Sequence, residues 1–440
     1  MADWKTRSLE HLWYCCAQMK DYEEFPPLHV TRATGPYIVL ADGTRLIDGI
    51  SSWWCKTLGH AHPRLTAALC EQSRHVEHVM LAHMATDPVV ELSSKLAGIF
   101  PGLTKVFFGG DGSTAVEISV KMSFQAQRNA GHTRRTRIVS LENGYHGETQ
   151  LCAALSDVSA YQGGLLPAFA PFPKLSGLPY VAGSSDPLWA DCSPRWEAIL
   201  NQLEEVADEL CAVVVEPVLQ GAAGMRVYSA DFLRRLRVWT RAHHVHLIAD
   251  EILTGFGRTG TLMACQHADV APDFACLSKG LTGGYLPMSA VVTSEEIYAA
   301  FYFDHEEGKA FNHSNTYAGN ALAAAVAVEA IRLYREPSFL GRVKELEGEL
   351  RPAMAEVSEA TGVLGPIRGI GGVVASDLQM PAAAPGRRLG FRVYKEAAKR
   401  GALVRPIGDT IYWLPPLTLE PPVLDDLKQI TIAAIRAAIA

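Results

Sequence analysis

The chain has 440 residues, with 40 Lys and Arg against 47 Asp and Glu and a formal net charge of −7. Its 48% hydrophobic and 20% charged content is enough to bury a sizeable core and excludes intrinsic disorder, a collagen-like or coiled-coil fibre and a disulfide-stapled miniprotein. A near-neutral balance with no long basic run argues against nucleic acid as the main partner, which leaves small metabolites as the default ligand class.

Length suggests two to three domains, or one large α/β unit with a smaller satellite. The opening MADWKTRSLEHLW is charged and lacks the apolar run of a secretory signal. In PYIVLADGTRLIDGI two apolar runs flank Asp42-Gly43, which predicts a hairpin. From about residue 61, helical and strand patterns alternate. HPRLTAALCEQSRHVEHVM has apolar residues at helical spacing, and KVFFGGDGS is an apolar run ending in glycines. TAVEISVKMSFQAQRNAG predicts a strong helix, because Val116, Val120 and Phe124 recur at i+4 beside Ala115, Ile118 and Met122. CAVVVEPV and HLIADEI read as buried parallel strands, each after a helical pattern, and so predict an α/β fold with a mostly parallel sheet.

Over 162–187 the composition turns to Gly, Pro and Ser, with Pro167, Pro171, Pro173, Pro179 and Pro187. Such a loop reads as a lid or entrance, or else as a passive surface excursion. The apolar stretch 321–331 is interrupted by Glu329 and is too short to span a bilayer. Beyond about residue 330 come helices, one strand in ALVRPIGDTIYWLPP and a final amphipathic helix. The expected organisation is a large α/β domain over 61–329 and a smaller, discontinuous domain from 1–60 and 330–440.

The nine cysteines include adjacent Cys15 and Cys16, and none forms a C-x-x-C pair. That spacing supports neither a zinc ribbon nor a redox dithiol, and it fits free thiols in a reducing cytoplasm. Gly255-Phe256-Gly257-Arg258-Thr259-Gly260 is a literal G-x-G-x-x-G. Its context argues against a dinucleotide site: four residues separate it from the preceding strand, and Pro272 breaks the stretch where a long helix would be needed. His75 and His78 lack the i, i+4 spacing of a zinc helix, and His243, His244 and His246 have no partner cluster. No metal site is expected.

Four local features make sense together. Gly110-Asp111-Gly112-Ser113-Thr114 opens the strong helix, and such a start is a seat for phosphate or simply a capped helix end. Asp250 ends a buried strand, facing the crevice where α/β proteins bind ligands; a carboxylate there would keep a pyridine nitrogen protonated, or would serve only as a cap. Lys279, in the apolar FACLSKGLTGGYLPM, would lose its proton readily and form a Schiff base. Tyr145, displayed between glycines in Gly144-Tyr145-His146-Gly147, would stack on a planar ring. These are the parts a pyridoxal phosphate enzyme needs.

IADEILTGFGRTG followed by PDFACLSKGLTGG resembles the class III aminotransferases of fold type I, and the resemblance runs over essentially the whole chain. Ser51-Ser52-Trp53-Trp54, GYHG and RPIGDTIYWLPP look like the branch that converts 8-amino-7-oxononanoate to 7,8-diaminononanoate in biotin synthesis. The resemblance implies a large, mostly parallel sheet flanked by helices, a smaller α+β domain and a homodimer with shared active sites. It implies pyridoxal phosphate held by Lys279 as a Schiff base, with Lys279 also moving the substrate proton. Asp250 would pair with the ring nitrogen, Tyr145 would cover the ring and touch substrate, and Gly112 and Ser113 would bind the phosphate. Thr316, with Asn315, would reach the phosphate of the neighbouring subunit. Trp53 and Trp54 would line the substrate channel, where a core role is the alternative; consecutive residues of a strand cannot both face one core. Arg405 would clamp the substrate carboxylate, and Tyr412 would order that end of the pocket.

The chain departs from the family pattern in three places. Cys16 stands where a Tyr normally contacts the amino donor, Ser314-Asn315 stands where Gly-Pro is usual, and Glu148 replaces an Asp. Cys16 and Ser314 thus join the expected substrate-binding residues. The implied donor is S-adenosylmethionine, with lysine or another amine as alternatives. Another class III ω-amino-acid or diamine aminotransferase, or a catalytically silent relative, remains open on these residues.

Overall fold

The computed structural model describes residues 3–158, 171–379 and 388–440. Pro167 and the rest of 162–170 therefore lie outside the described residues. The dominant element is a seven-stranded sheet in the order β4 (Leu103–Gly109), β13 (Ser289–Ser294), β12 (Phe274–Leu277), β11 (His246–Asp250), β8 (Leu210–Val215), β5 (Arg137–Leu141) and β6 (Lys174–Leu175). From β12 to β6 every pairing is parallel, and β13 alone runs against its neighbours. All six residues of β8 are buried, which explains an aliphatic run without polar alternation: helices cover both faces of a parallel sheet.

The strong helix predicted after Gly110 spans Gly112–Asn129 and buries Ala115, Val116, Ile118, Val120 and Met122. Asp111 caps it by accepting from Thr114 N at 2.9 Å. The helix expected from His62 onward stops at Gln72, where the Gln72 side chain donates instead to the carbonyl of Val76. His75 and His78 consequently sit beyond its end. The described part of the Pro-rich stretch is tied down rather than free, since β6 extends the main sheet and β7 (Tyr180–Val181) pairs with β10 (Arg226–Tyr228).

Both chain ends meet in smaller sheets. The hairpin at Asp42-Gly43 forms as expected between β2 (Tyr37–Leu40) and β3 (Arg45–Asp48), with β1 (Val30–Thr34) on one side and β16 (Ala402–Leu403) on the other. The single strand expected in ALVRPIGDTIYWLPP is instead two. Pro406 offers no ladder donor and Gly408 has φ +57, so the chain turns between β16 and β17 (Thr410–Trp413). β17 joins β15 (Val373–Asp377) and β14 (Arg368–Ile370). The helix Ala321–Tyr334 runs unbroken across the expected domain boundary at 329/330.

Ser51-Ser52-Trp53-Trp54 is not a strand. All four residues have positive φ, 51°, 45°, 78° and 72°, forming one left-handed helical turn closed by Trp54 N to Ile50 O at 2.9 Å and Cys55 N to Ser51 O at 3.0 Å. Left-handed backbone costs roughly 1–2 kcal/mol per non-glycine residue, so this turn persists only because its surroundings fix it. One support is the buried Asp48 carboxylate, which accepts from Ser52 N at 2.9 Å, Ser52 Oγ at 2.6 Å and His60 Nε2 at 2.8 Å.

The turn after β16 that carries Arg405 is set by close packing against the helix Leu389–Lys399. A Cβ on Gly390 would lie 1.9 Å from the Gly408 carbonyl oxygen. Gly390→Ala should destabilise the fold by roughly 1–3 kcal/mol, seen as a lower urea midpoint with an unchanged slope. An unchanged midpoint would show that the turn yields freely.

Candidate active site

The carboxyl ends of five strands converge on one cavity of about 280 Å³. β4 leads into Asp111, Gly112 and Ser113, β5 into Tyr145, His146 and Gly147, and β8 into Glu216; β11 ends in Asp250 and β12 leads into Ser278 and Lys279. Trp54 closes one side. The expected residues Lys279, Asp250, Tyr145, Gly112, Ser113 and Trp54 are therefore brought together.

Lys279 adopts a left-handed φ of +42, a strained conformation of the kind that clusters at functional sites. Its Nζ lies 4.9 Å from the centre of the Trp54 ring. Burial holds its pKa below the ordinary lysine value, against the opposing pull of the Asp250 and Glu216 carboxylates. The amine is thereby biased toward its nucleophilic form. Asp250 is buried and accepts from His146 Nδ1 at 2.8 Å and from Ile252 N at 3.2 Å, which fixes its orientation. Tyr145 donates through its hydroxyl to Glu148 at 3.0 Å.

Two contributors went unread in the sequence. Glu216 accepts from Tyr145 N at 2.9 Å and Gly221 N at 3.0 Å, so it anchors the loop that presents the tyrosine. Its signal was position: it directly follows a buried parallel strand, as a residue at the ligand edge does. His146 lay inside the GYHG motif, but its contact with Asp250 joins strands far apart in sequence.

A second cavity of about 830 Å³ lies among Cys16, Trp53, Phe391, Tyr394 and Arg405. Arg405 Nη2 donates to the Cys16 carbonyl at 2.8 Å, and its guanidinium lies 4.7 Å from the centre of the Trp53 ring. Adjacent tryptophans of the left-handed turn thus line different cavities. Tyr412 lines neither; its hydroxyl accepts from Trp54 Nε1 at 3.0 Å, so it holds Trp54 from behind. Ser314, Asn315 and Thr316 also line neither cavity. The Thr316 carbonyl accepts from His78 Nε2 at 2.8 Å, beside Tyr317, Met80 and Met84, which are 69%, 58% and 53% exposed.

The G-x-G-x-x-G forms successive turns rather than a strand-to-helix junction. Among the described residues no group of His, Cys, Asp and Glu is arranged to hold a metal. All nine cysteines are free. Among the described residues no helix is long and apolar enough to cross a membrane.

The first cavity fits a small phosphorylated ring. The Lys279 amine and an oriented buried carboxylate share it, and the helix Gly112–Asn129 brings its first-turn N–H groups to the wall. His146 Nε2, also buried, has no partner among the described residues. At Gly147, with φ +120, a Cβ would lie 2.0 Å from Ser113 Oγ, so only glycine lets these two loops close around the helix end.

The Aminotransferase class-III family matches residues 18–435; the chain belongs to that family and is an aminotransferase. Similar curated proteins include the adenosylmethionine-8-amino-7-oxononanoate aminotransferases of Nitratidesulfovibrio vulgaris (37% identical, covering 98% of this chain and 82% of that protein) and Synechococcus elongatus (38%, 95% and 96%). Among solved structures, the adenosylmethionine-8-amino-7-oxononanoate aminotransferase of Methanocaldococcus jannaschii superposes with a TM-score of 0.90 at 29% identity over 98% of both chains. An amine transaminase from an uncultivated Pseudomonas species, in its PLP-bound form, superposes with a TM-score of 0.88 at 29% identity over 97% of this chain and 99% of that one.

Burial pushes the Glu216 carboxyl from its ordinary 4.5 up to about 7. The folded chain then keeps a proton that the unfolded chain releases between those values. This contribution to stability is complete below about pH 4.5 and is lost as pH rises through about 7. In cofactor-free protein, the thermal midpoint of wild type relative to Glu216→Gln should therefore fall between about pH 5 and pH 8. A difference that does not change with pH would contradict the shifted carboxyl.

Proposed function

We propose that this chain is a pyridoxal phosphate-dependent aminotransferase that transfers an amino group to 8-amino-7-oxononanoate, giving 7,8-diaminononanoate for biotin synthesis. The observation that carries the reading is that neighbouring residues line two cavities, Trp54 the one that holds Lys279 and Trp53 the one that holds Arg405. That arrangement suits a long, mostly apolar acceptor with a carboxylate at its far end. Arg405 supplies a planar fork for the carboxylate, and the tryptophans supply apolar walls. The names carried by the similar aminotransferases support the same substrate.

When bound, pyridoxal phosphate supplies the electron sink that takes up charge from the substrate carbon. The chain's own residues do the rest. Lys279 holds the cofactor covalently and moves the proton at the reacting carbon. Asp250, oriented by His146, keeps the ring nitrogen protonated. Gly112 and Ser113 seat the phosphate at the helix start, and Tyr145 covers the ring. The donor is S-adenosylmethionine in this reading, entering past Cys16. Lysine or another amine is the alternative, because Cys16 offers a thiol where related chains offer a phenol.

The working unit is a homodimer in which Thr316, with Ser314 and Asn315, completes the partner's phosphate and substrate site. Exposed Tyr317, Met80 and Met84 beside that loop support a covered face. Nine free thiols suit a reducing cytoplasm. The large cofactor domain over 61–329 and the small domain from both chain ends are part of the same proposal.

The test is a half-reaction screen. Holoenzyme is mixed in turn with S-adenosylmethionine, lysine and simple diamines, and then with the oxo-acid. S-adenosylmethionine should bleach the cofactor's visible band, and 8-amino-7-oxononanoate should restore it with formation of the diamine. Turnover of simple ω-amines without any response to the oxo-acid would favour a general ω-amine or diamine aminotransferase.

A further inference from the structure

Arg258, in the fourth position of the G-x-G-x-x-G, is completely buried and has no carboxylate partner among the described residues. Its Nη1 donates to the carbonyls of Pro415 at 2.8 Å and Gly372 at 3.1 Å, and its Nη2 to Ser51 Oγ at 3.4 Å. Nε has no partner among the described residues. Burial lowers its pKa to about 9, so the fold keeps a cation in an unfavourable place. Burying a charge with dipoles as its only partners carries a substantial desolvation cost.

The three acceptors belong to three separate parts of the chain. Ser51 opens the left-handed turn, Pro415 follows β17, and Gly372 precedes β15. Ser51 Oγ donates in turn to the Leu414 carbonyl at 2.8 Å, and Leu414 N donates to the Gly49 carbonyl at 2.8 Å. The same stretch carries Tyr412, which holds Trp54. Glycines permit this insertion: a Cβ on Gly257 of the motif would lie 2.7 Å from Phe339, and one on Gly371, which packs against the motif, would lie 2.3 Å from the Thr259 carbonyl carbon. Asp48 grips the turn from Ser52, and Arg258 grips it from Ser51.

We infer that Arg258 is a positioning residue, which clamps the left-handed turn 51–54 to the stretch after β17 and so sets where Trp53 and Trp54 face the two cavities. The inference rests on the proposed function only for its substrate readout. Acceptors in three directions need a planar fork, so lysine cannot replace it.

The experiment uses cofactor-loaded R258K and S51A, read by amide hydrogen exchange and by steady-state kinetics. In each, amides in 49–57 should exchange roughly tenfold faster, the scale of one lost hydrogen bond to a charged group, while the helix Ala230–Ala242 keeps its protection. KM for the acceptor should rise roughly tenfold with a smaller change in kcat, and the double variant should add little to either single one. If R258K does not fold, S51A carries the same test. Unchanged exchange in 49–57, or a uniform rise across the chain, would overturn the inference. A wild type inert toward the oxo-acid would refute the substrate reading, while the exchange pattern would still decide the role of Arg258.

Discussion

Parallel strand pairing is the constraint on which the rest depends. Because β5, β8, β11 and β12 share one direction, their carboxyl ends share one edge. Residues 145, 216, 250 and 279 meet there although the chain separates them widely. A parallel register also buries both faces of the sheet, and that low-dielectric setting gives Lys279 and Glu216 their shifted protonation. Fold and chemistry thus have a common cause.

The second determinant is strain. The left-handed turn at 51–54 presents consecutive tryptophans to different cavities, at a conformational cost offset by Asp48, His60, Ser51 and the stretch after β17. The elements that meet at this turn come from both ends of the chain, which links assembly of the smaller sheets to the shape of the substrate path. Arg405 and Cys16 belong to the same region, so the far end of the substrate path is also built from residues distant in sequence.

Much of this was legible in the sequence because it is local. The apolar runs of β8 and β11, the helix after Gly110, the hairpin at Asp42-Gly43 and the apolar setting of Lys279 all declare themselves within about ten residues. What was not legible depends on distant partners. The left-handed turn looks like strand, because nothing in Ser-Ser-Trp-Trp announces positive φ without Asp48 and Leu414. Glu216 looks like the end of a strand until Tyr145 N reaches it. Arg258 sits in a motif whose glycines suggest nucleotide binding, whereas they serve close packing against Phe339 and the backbone at Gly371. The strand read through Pro406 and Gly408 failed for a local reason, since both residues end ladders.

The central claim is that the edge cavity seats pyridoxal phosphate on Lys279. Borohydride reduction of the cofactor-loaded protein, followed by peptide mapping, tests it directly. The account predicts a single pyridoxyl label on Lys279. Labelling of another lysine in its place, or no label in protein that retains the cofactor's visible band, would contradict it.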